Sequence, residues 1–224
     1  YIGDEYGFLS VLKYDAEEQT ILQLPYHIPA NLVAEAAEIS LPFNQSIVGV
    51  LPQPSSFGNR LVLAYEDGLI VLWDVTEDRA VLVRGNKDLQ LKDEMLAESS
   101  GDGSHEPLDN LLDHEKEISS LCWVSGDGSL LAVGYVDGDI FLWNLSASDH
   151  IKGQGAQKSS DKVVKIQLSS AERRLPVIVL HWSANKKRNG FGGQLFVYGG
   201  EEIGSEEVLT VCCESIFVLV VSIF

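Results

Sequence analysis

Basic side chains are scarce in this sequence. Sixteen lysines and arginines face 33 aspartates and glutamates, a formal net charge of −17 at pH 7 over 224 residues. Such a surface repels phosphate backbones and anionic headgroups on average, which argues against nucleic acid as a partner. Cysteine is scarcer still. Cys122, Cys212 and Cys213 are too few for a disulfide framework and lack the spacing of a metal cluster, so buried free thiols in a reducing compartment are expected. Long apolar runs are missing too: the longest, SIFVLVVSIF at 215–224, is half the ~20 residues that span a bilayer. Residues 1–20 carry Asp4, Glu5, Asp15, Glu17 and Glu18, which is no secretory leader. The expectation is a cytoplasmic protein, at most peripheral at the plasma membrane. Catalytic signatures are also absent. No G-x-S-x-G elbow, P-loop or H-E-x-x-H occurs, so no enzyme, metal or cofactor site is expected. His105 and His114 lack ligand spacing, and His181 ends an apolar strand.

What is present is a repeat. YEDGLIVLWDV (65–75) returns as YVDGDIFLWNL (135–145), so that Gly68 recurs as Gly138 and Trp73 as Trp143, 70 residues later. Each copy reads as an apolar run, an Asp-Gly turn and a second apolar run closing on tryptophan. Glycine tolerates positive φ and aspartate bonds its own backbone, so both copies predict antiparallel hairpins. Similar runs surround them: FLSVLKY, TILQL, SIVGVL, AVLVR, EISSLCW, KVVKIQL, PVIVLHW and LFVYGG. They count as two strands, then three groups of four with the last strand of the last group doubtful. Helical periodicity is weak, and PANLVAEAAEISL (29–41) reads equally as a short helix or a loop.

Groups of four short strands with a Gly-Asp turn and a closing tryptophan are the grammar of a β-propeller blade. A blade takes ~40–45 residues, and the surplus within the 70-residue interval is visible. Residues 85–117 hold ten acidic residues against three lysines, with SSGDGSHEP at their centre, and read as an acidic flexible insertion. The predicted organisation is the C-terminal half of one blade at 1–24 and a second blade at 42–84. After the insertion follow a third blade at 118–168, with a loop at 146–161, and a partial fourth at 176–224. The class is all-β, with roughly three four-stranded antiparallel blades of a larger, incomplete propeller whose sheet edges stay unpaired. The final CCESIFVLVVSIF shows neither turn signals nor the polar alternation of an outer strand. It reads as the end of a truncated or misspliced product.

The stretch DHEKEISSLCWVSGDGSLLAVGYVDGDIFLWNL (113–145) resembles a WD repeat. Asp113-His114 stands where Gly-His is usual, Gly126-Asp127-Gly128 matches the first turn, Asp137 the buried turn aspartate and Trp143-Asn144 the Trp-Asp end. Asp67, Gly68, Trp73 and Asp74 match in the earlier copy, and Gly138 completes the second turn. The resemblance implies a hydrogen-bonded His, Ser/Thr, Asp and Trp network that locks a blade. Val133 occupies the Ser/Thr position, so that network should be incomplete here. A narrower resemblance rests on IGDEYGFLSVLKYDAEEQTILQLPYHIP and LFVYGGEEIGSEEVLTV, which look like the tomosyn and lethal giant larvae family in its plant form. That likeness implies a non-enzymatic scaffold regulating vesicle fusion and exocytosis by binding syntaxin-class SNAREs. The C-terminal SNARE-like coiled coil of tomosyns has no counterpart in this sequence.

Two further features bear on binding. Lys186, Lys187 and Arg188 cluster in NKKRNGFGG, a candidate partner-binding loop that would attract an acidic helix or headgroup. Its bland reading is a solvated turn. Trp73, Trp123, Trp143 and Trp182 sit in apolar contexts, and core packing is expected for each. The alternative function is a WD-repeat adaptor in an unrelated assembly such as a ubiquitin ligase or signalling complex, because a propeller fold alone names no partner.

Overall fold

Period-two alternation in short runs rich in Val, Ile and Leu forces side chains to opposite faces of a pleated strand, so each strand must be covered twice. The computed structural model meets that demand for the two middle sheets by stacking, while the outer sheets keep one face exposed. It describes residues 1–36, 38–39, 45–85, 116–146, 164–170, 173–185, 192–200, 207–213 and 218–223. The first sheet holds β1 (Ile2–Gly3), β2 (Leu9–Asp15) and β3 (Thr20–Ile28), followed by a short helix, α1 (Ala30–Ala36). The second holds β4 (Ile47–Pro52), β5 (Arg60–Tyr65), β6 (Ile70–Asp74) and β7 (Arg79–Arg84). The third holds β8 (Ile118–Trp123), β9 (Leu130–Tyr135), β10 (Asp139–Asn144) and β11 (Val164–Gln167). A ribbon of β12 (Ser169–Ser170) and β13 (Arg173–Arg174) leads to the fourth sheet: β14 (Val177–Ala184), β15 (Gly193–Gly200), β16 (Glu207–Cys213) and β17 (Val218–Ile223). Neighbouring strands pair antiparallel throughout, with Leu61 opposite Trp73 and Leu131 opposite Trp143. These are the four-stranded blades of an open, incomplete propeller.

Alternation sorts the side chains into three cores. Leu61, Leu63, Tyr65, Val71 and Trp73 face the first sheet and α1, where they meet Leu9, Ile28, Val33 and Ala34. On the other face Val62, Ala64, Ile70 and Leu72 pack on Leu131, Val133, Tyr135, Phe141 and Trp143 of the third sheet. The third sheet turns Ala132 and Ile140 the other way, onto Leu175, Val177, Leu180, Leu195 and Val197. Burying a side chain of this size contributes about 1.5–3 kcal/mol. The middle sheets therefore carry most of the stabilising burial.

Several expectations change in detail. Before residue 28 there are three strands rather than two, because the Asp4 carboxylate accepts the Tyr6 and Phe8 N–H groups (3.0 and 2.8 Å) and folds Ile2–Gly3 back onto β2. The ambiguous 29–41 stretch is helical at Ala30–Ala36, where Val33 and Ala34 are fully buried. The doubtful last strand forms: β17 pairs with β16 from Glu207–Ile223 to Cys212–Val218. Backbone pairing needs no polar alternation, which is why the composition of 215–224 misleads. Trp73 and Trp143 are fully buried, whereas Trp123 and Trp182 are only half-buried. Cys122 is a half-buried free thiol whose burial pushes its pKa up to about 12, and Cys212 is also half-buried. Most of the acidic insertion (86–115) and of the 146–161 loop lies outside the described residues. No helix among the described residues is long and apolar enough to cross a membrane.

Candidate functional site

The two Asp-Gly turns lie at one end of the sheets and share one geometry. After β5, Gly68 takes a φ of 91°, its N–H donates to Tyr65 O at 3.1 Å, and the Leu69 N–H donates to Asp67 Oδ1 at 3.1 Å. After β9, Gly138 takes a φ of 85°, donates to Tyr135 O at 3.0 Å, and the Asp139 N–H donates to Asp137 Oδ1 at 3.0 Å. A Cβ on Gly138 would also lie 2.6 Å from Leu175 O, so the turn requires glycine for both conformation and space. At the opposite ends of β6 and β10, short oxygen-bearing side chains close the strands. Asp74 Oδ1 accepts the N–H groups of Thr76 (3.0 Å) and Glu77 (3.1 Å) and the Thr76 hydroxyl (2.7 Å). Asn144 Oδ1 accepts the Ser146 N–H at 2.9 Å.

The tryptophans at corresponding positions are held differently. Trp73 Nε1 donates to the Tyr26 hydroxyl at 3.2 Å, and that hydroxyl donates to Asp78 Oδ1 at 3.0 Å, tying the first sheet to the second. Burial pushes the Tyr26 phenol up to about 12; the Trp73 bond opposes that rise and Asp78 adds to it. Trp143 meets Phe141 edge-on at 6.0 Å, and Phe141 meets Tyr135 edge-on at 5.3 Å. Val133 is fully buried and carries no hydroxyl. His114 lies outside the described residues, as do Lys186, Lys187 and Arg188.

An ion network occupies the third sheet's turn. Lys116 Nζ donates to Asp137 Oδ2 at 2.5 Å and also to Asp139 Oδ2, and Lys165 Nζ reaches Asp139 Oδ2 at 3.0 Å. Asp139 is fully buried, and the Lys116 side chain is 11% exposed. Asp137, expected to be the buried turn aspartate, is instead half-buried at its side chain; the buried carboxylate is Asp139. Both ammonium groups lie over Phe141, at 5.6 and 5.7 Å from its centroid, and Lys116 also lies 5.8 Å from the centroid of Tyr135. Two cations balance two anions, which is the condition for charges to survive burial. No motif marks Lys116, Asp139 or Lys165; only Lys165 interrupts an apolar run, in KVVKIQL, and that interruption is the available signal.

The signs of the shifts predict a pH profile. Burial opposes ionisation of Asp139, but Lys116 and Lys165 outweigh it and hold the carboxyl below its ordinary value. Thr76 and the turn N–H groups do the same for Asp74, and Ser129 for Asp127. A lowered carboxyl pKa contributes stability that is present above ~3.9 and lost as pH falls through the folded value. Lys116 is opposed by burial yet raised by Asp137 and Asp139, so its contribution is present below ~10.4 and lost as pH rises beyond it. Burial raises Tyr65 and Tyr135, which act in the same alkaline direction. Urea midpoints should therefore form a plateau from about pH 5 to 9, falling on both sides, with an acid limb shallower in Asp139→Asn. An identical acid limb in that variant would remove Asp139 from the account.

At the other end of the second and third sheets lies a polar cleft of about 350 Å³, bordered by Gln53, Ser55, Asn59, Arg60, Asp74 and Asp127. Arg60 Nε bonds Asp74 Oδ2 at 3.3 Å on its wall. The β4–β5 loop reaches across to the third sheet there. Gln53 Nε2 donates to Gly128 O at 2.8 Å, Ser55 Oγ to Gly126 O at 3.3 Å, and Trp123 Nε1 to Pro52 O at 2.9 Å. No group of three or more metal-binding side chains occurs among the described residues.

The WD domain, G-beta repeat family matches residues 105–144. The chain is similar to the solved β-propeller domain of Cps50 (Swd1) from Myceliophteria thermophila, with 14% identity and a TM-score of 0.53 over 96% of this chain and 51% of that one. It is also similar to U3-55K and to the RRP9 WD40 repeats, each at 14% identity and a TM-score of 0.48. Those matches cover 94% of this chain and 45% and 44% of the two others. The chain thus spans about half the length of the first of these structures. No curated protein matches it in sequence. The family match marks one WD repeat at 105–144, and the likeness to the first of these structures shows the β-propeller fold.

Proposed function

We propose that this WD40 chain is a non-enzymatic scaffold whose partners are syntaxin-class SNAREs, placing it in vesicle fusion and exocytosis. The fold supports a protein-interaction role: the second and third blades bury both sheet faces and present their turns and loops, while the outer blades expose strand side chains such as Ile21 and Val179. The finer reading rests on the resemblance of residues 2–29 and 195–211 to tomosyn and lethal giant larvae proteins; the described residues of these segments build β1–β3 and parts of β15 and β16. The cytoplasm, with peripheral contact at the plasma membrane, is the compartment this reading requires.

The test is binding of the native full-length protein to a plasma-membrane syntaxin, by pull-down and by stopped-flow titration at two ionic strengths. Such SNARE helices are acidic in the family context, so the Lys186, Lys187 and Arg188 loop should supply attraction on an otherwise repelling chain. Lys186→Glu, Lys187→Glu and Arg188→Glu together should slow association about tenfold and leave dissociation nearly unchanged. Wild-type association should fade with salt as the Debye length contracts from ~10 Å at 0.1 M. A triple variant that associates at the wild-type rate would reduce the loop to a solvated turn. Absence of binding to any such SNARE would leave the adaptor in an unrelated assembly as the better reading.

A further inference from the structure

Folding stability does not account for the tip of the β4–β5 loop. Phe57 is 98% exposed, so its ring contributes no burial. Its φ is 54° and that of Ser55 is 62°, a region where bulky L-residues are uncommon. The loop is nonetheless firmly tied. Ser56 Oγ donates to Gln53 O at 2.8 Å and accepts the Arg60 N–H at 3.3 Å, and the Val75 N–H donates to Asn59 O at 2.8 Å. Tyr1 adds a hydroxyl bond to Gly58 O at 3.4 Å, and the cross-sheet bonds of Gln53 and Ser55 complete the anchoring. A rigid loop thus holds an aromatic ring in water, beside the polar cleft. The adjoining turns carry Asp74, Glu77, Asp78 and Asp127, while Arg60 and Arg79 are engaged by Asp74 and Glu77 at 3.3 and 2.5 Å.

We propose that the Phe57 loop and its cleft form a docking site for an extended basic segment of a partner protein. The segment would set an apolar side chain against Phe57 and an arginine or lysine toward Asp127 in the polar cleft and the carboxylates of the adjoining turns. An aromatic side chain already fixed in place loses little freedom on binding, the property of an interface hot spot. Excess carboxylates around it steer a cationic segment and repel an acidic one. The site is independent of SNARE binding, because its partner has the opposite charge and its loop is a different one.

The test uses the 224-residue chain and fluorescein-labelled octapeptides at 0.15 M salt, read by anisotropy. Peptides alternate Arg with Leu, Arg with Ser, or Glu with Leu. The Arg–Leu peptide should bind, the Arg–Ser peptide at least tenfold more weakly, and the Glu–Leu peptide not at all. Phe57→Asn places a residue suited to left-handed backbone at the tip. It should melt no lower than wild type yet bind the Arg–Leu peptide at least tenfold more weakly. Amide shifts should centre on residues 53–60 and 125–129. Equal binding by Phe57→Asn, equal affinity for the Arg–Leu and Arg–Ser peptides, shifts elsewhere, or no binding of the Arg–Leu peptide would each overturn the proposal.

Discussion

Replacing Asp139 by leucine should destabilise the chain by about 3–5 kcal/mol, the usual cost of removing one partner from a buried ion pair. Lys165 would lose the bond it makes to that carboxylate at 3.0 Å, and Lys116 would keep only Asp137. The molecule contains its own control. In the second sheet, Leu69 stands at the turn position of Asp139, Val83 faces Val71 where Lys165 faces Phe141, and Gln45 precedes β4 where Lys116 precedes β8. Leu69 is 1% exposed, so the same turn packs well without charges. The triple exchange Lys116→Gln, Asp139→Leu and Lys165→Val should therefore return to within about 1 kcal/mol of wild type, since replacing a whole buried ionic set by apolar groups is often neutral. Urea unfolding followed by circular dichroism measures both. A single variant costing less than about 1 kcal/mol, or a triple variant as unstable as the single, would show that pairing does not govern this site.

Trp143→Ala should cost about 3–5 kcal/mol, because truncating a buried aromatic loses its transfer free energy and leaves a cavity. Trp143 is 1% exposed and packs among Leu131, Val133 and Phe141 in the core between the second and third sheets. Trp123 is the comparison. It is half-buried, and its indole nitrogen bonds Pro52 O at 2.9 Å. Trp123→Ala should cost about 1–2 kcal/mol, the sum of partial burial and one hydrogen bond. Equal losses at the two positions would mean that burial in the shared core does not set the difference. Because each sheet touches only its neighbours, the loss at Trp143 should spread into both middle sheets and lower one common transition.

How far the sequence could be read varies along the chain, and the variation has a cause. Asp67-Gly68 and Asp137-Gly138 were legible because their chemistry is local: the carboxylate bonds an N–H two residues on, and the glycine supplies its own φ. Asp74 and Asn144 belong to the same class, each bonding an N–H two residues ahead. The burial of Asp139 was not legible. Its partners Lys116 and Lys165 lie on separate strands or connections, and a lone acidic residue beside a turn ordinarily reads as solvated. Tyr26 escaped notice for a similar reason. Its bond to Trp73 joins residues 47 positions apart and exists only where the first two sheets meet.

Alternation and Asp-Gly chemistry by themselves determined four-stranded antiparallel blades, the second-to-third-strand hairpins and the burial of Trp73 and Trp143. Pleat period and turn dihedrals are properties of neighbouring residues, so the chain carries them wherever it goes. Tertiary structure alone decided which charges are buried, that Trp123 stays half-exposed, and that β17 joins β16 despite an unpatterned composition. It alone decided that Phe57 is held in water by bonds reaching to Gly126 and Gly128. Each of these depends on what another sheet places opposite, and burial, pairing and exposure are energies of that encounter rather than of the residue.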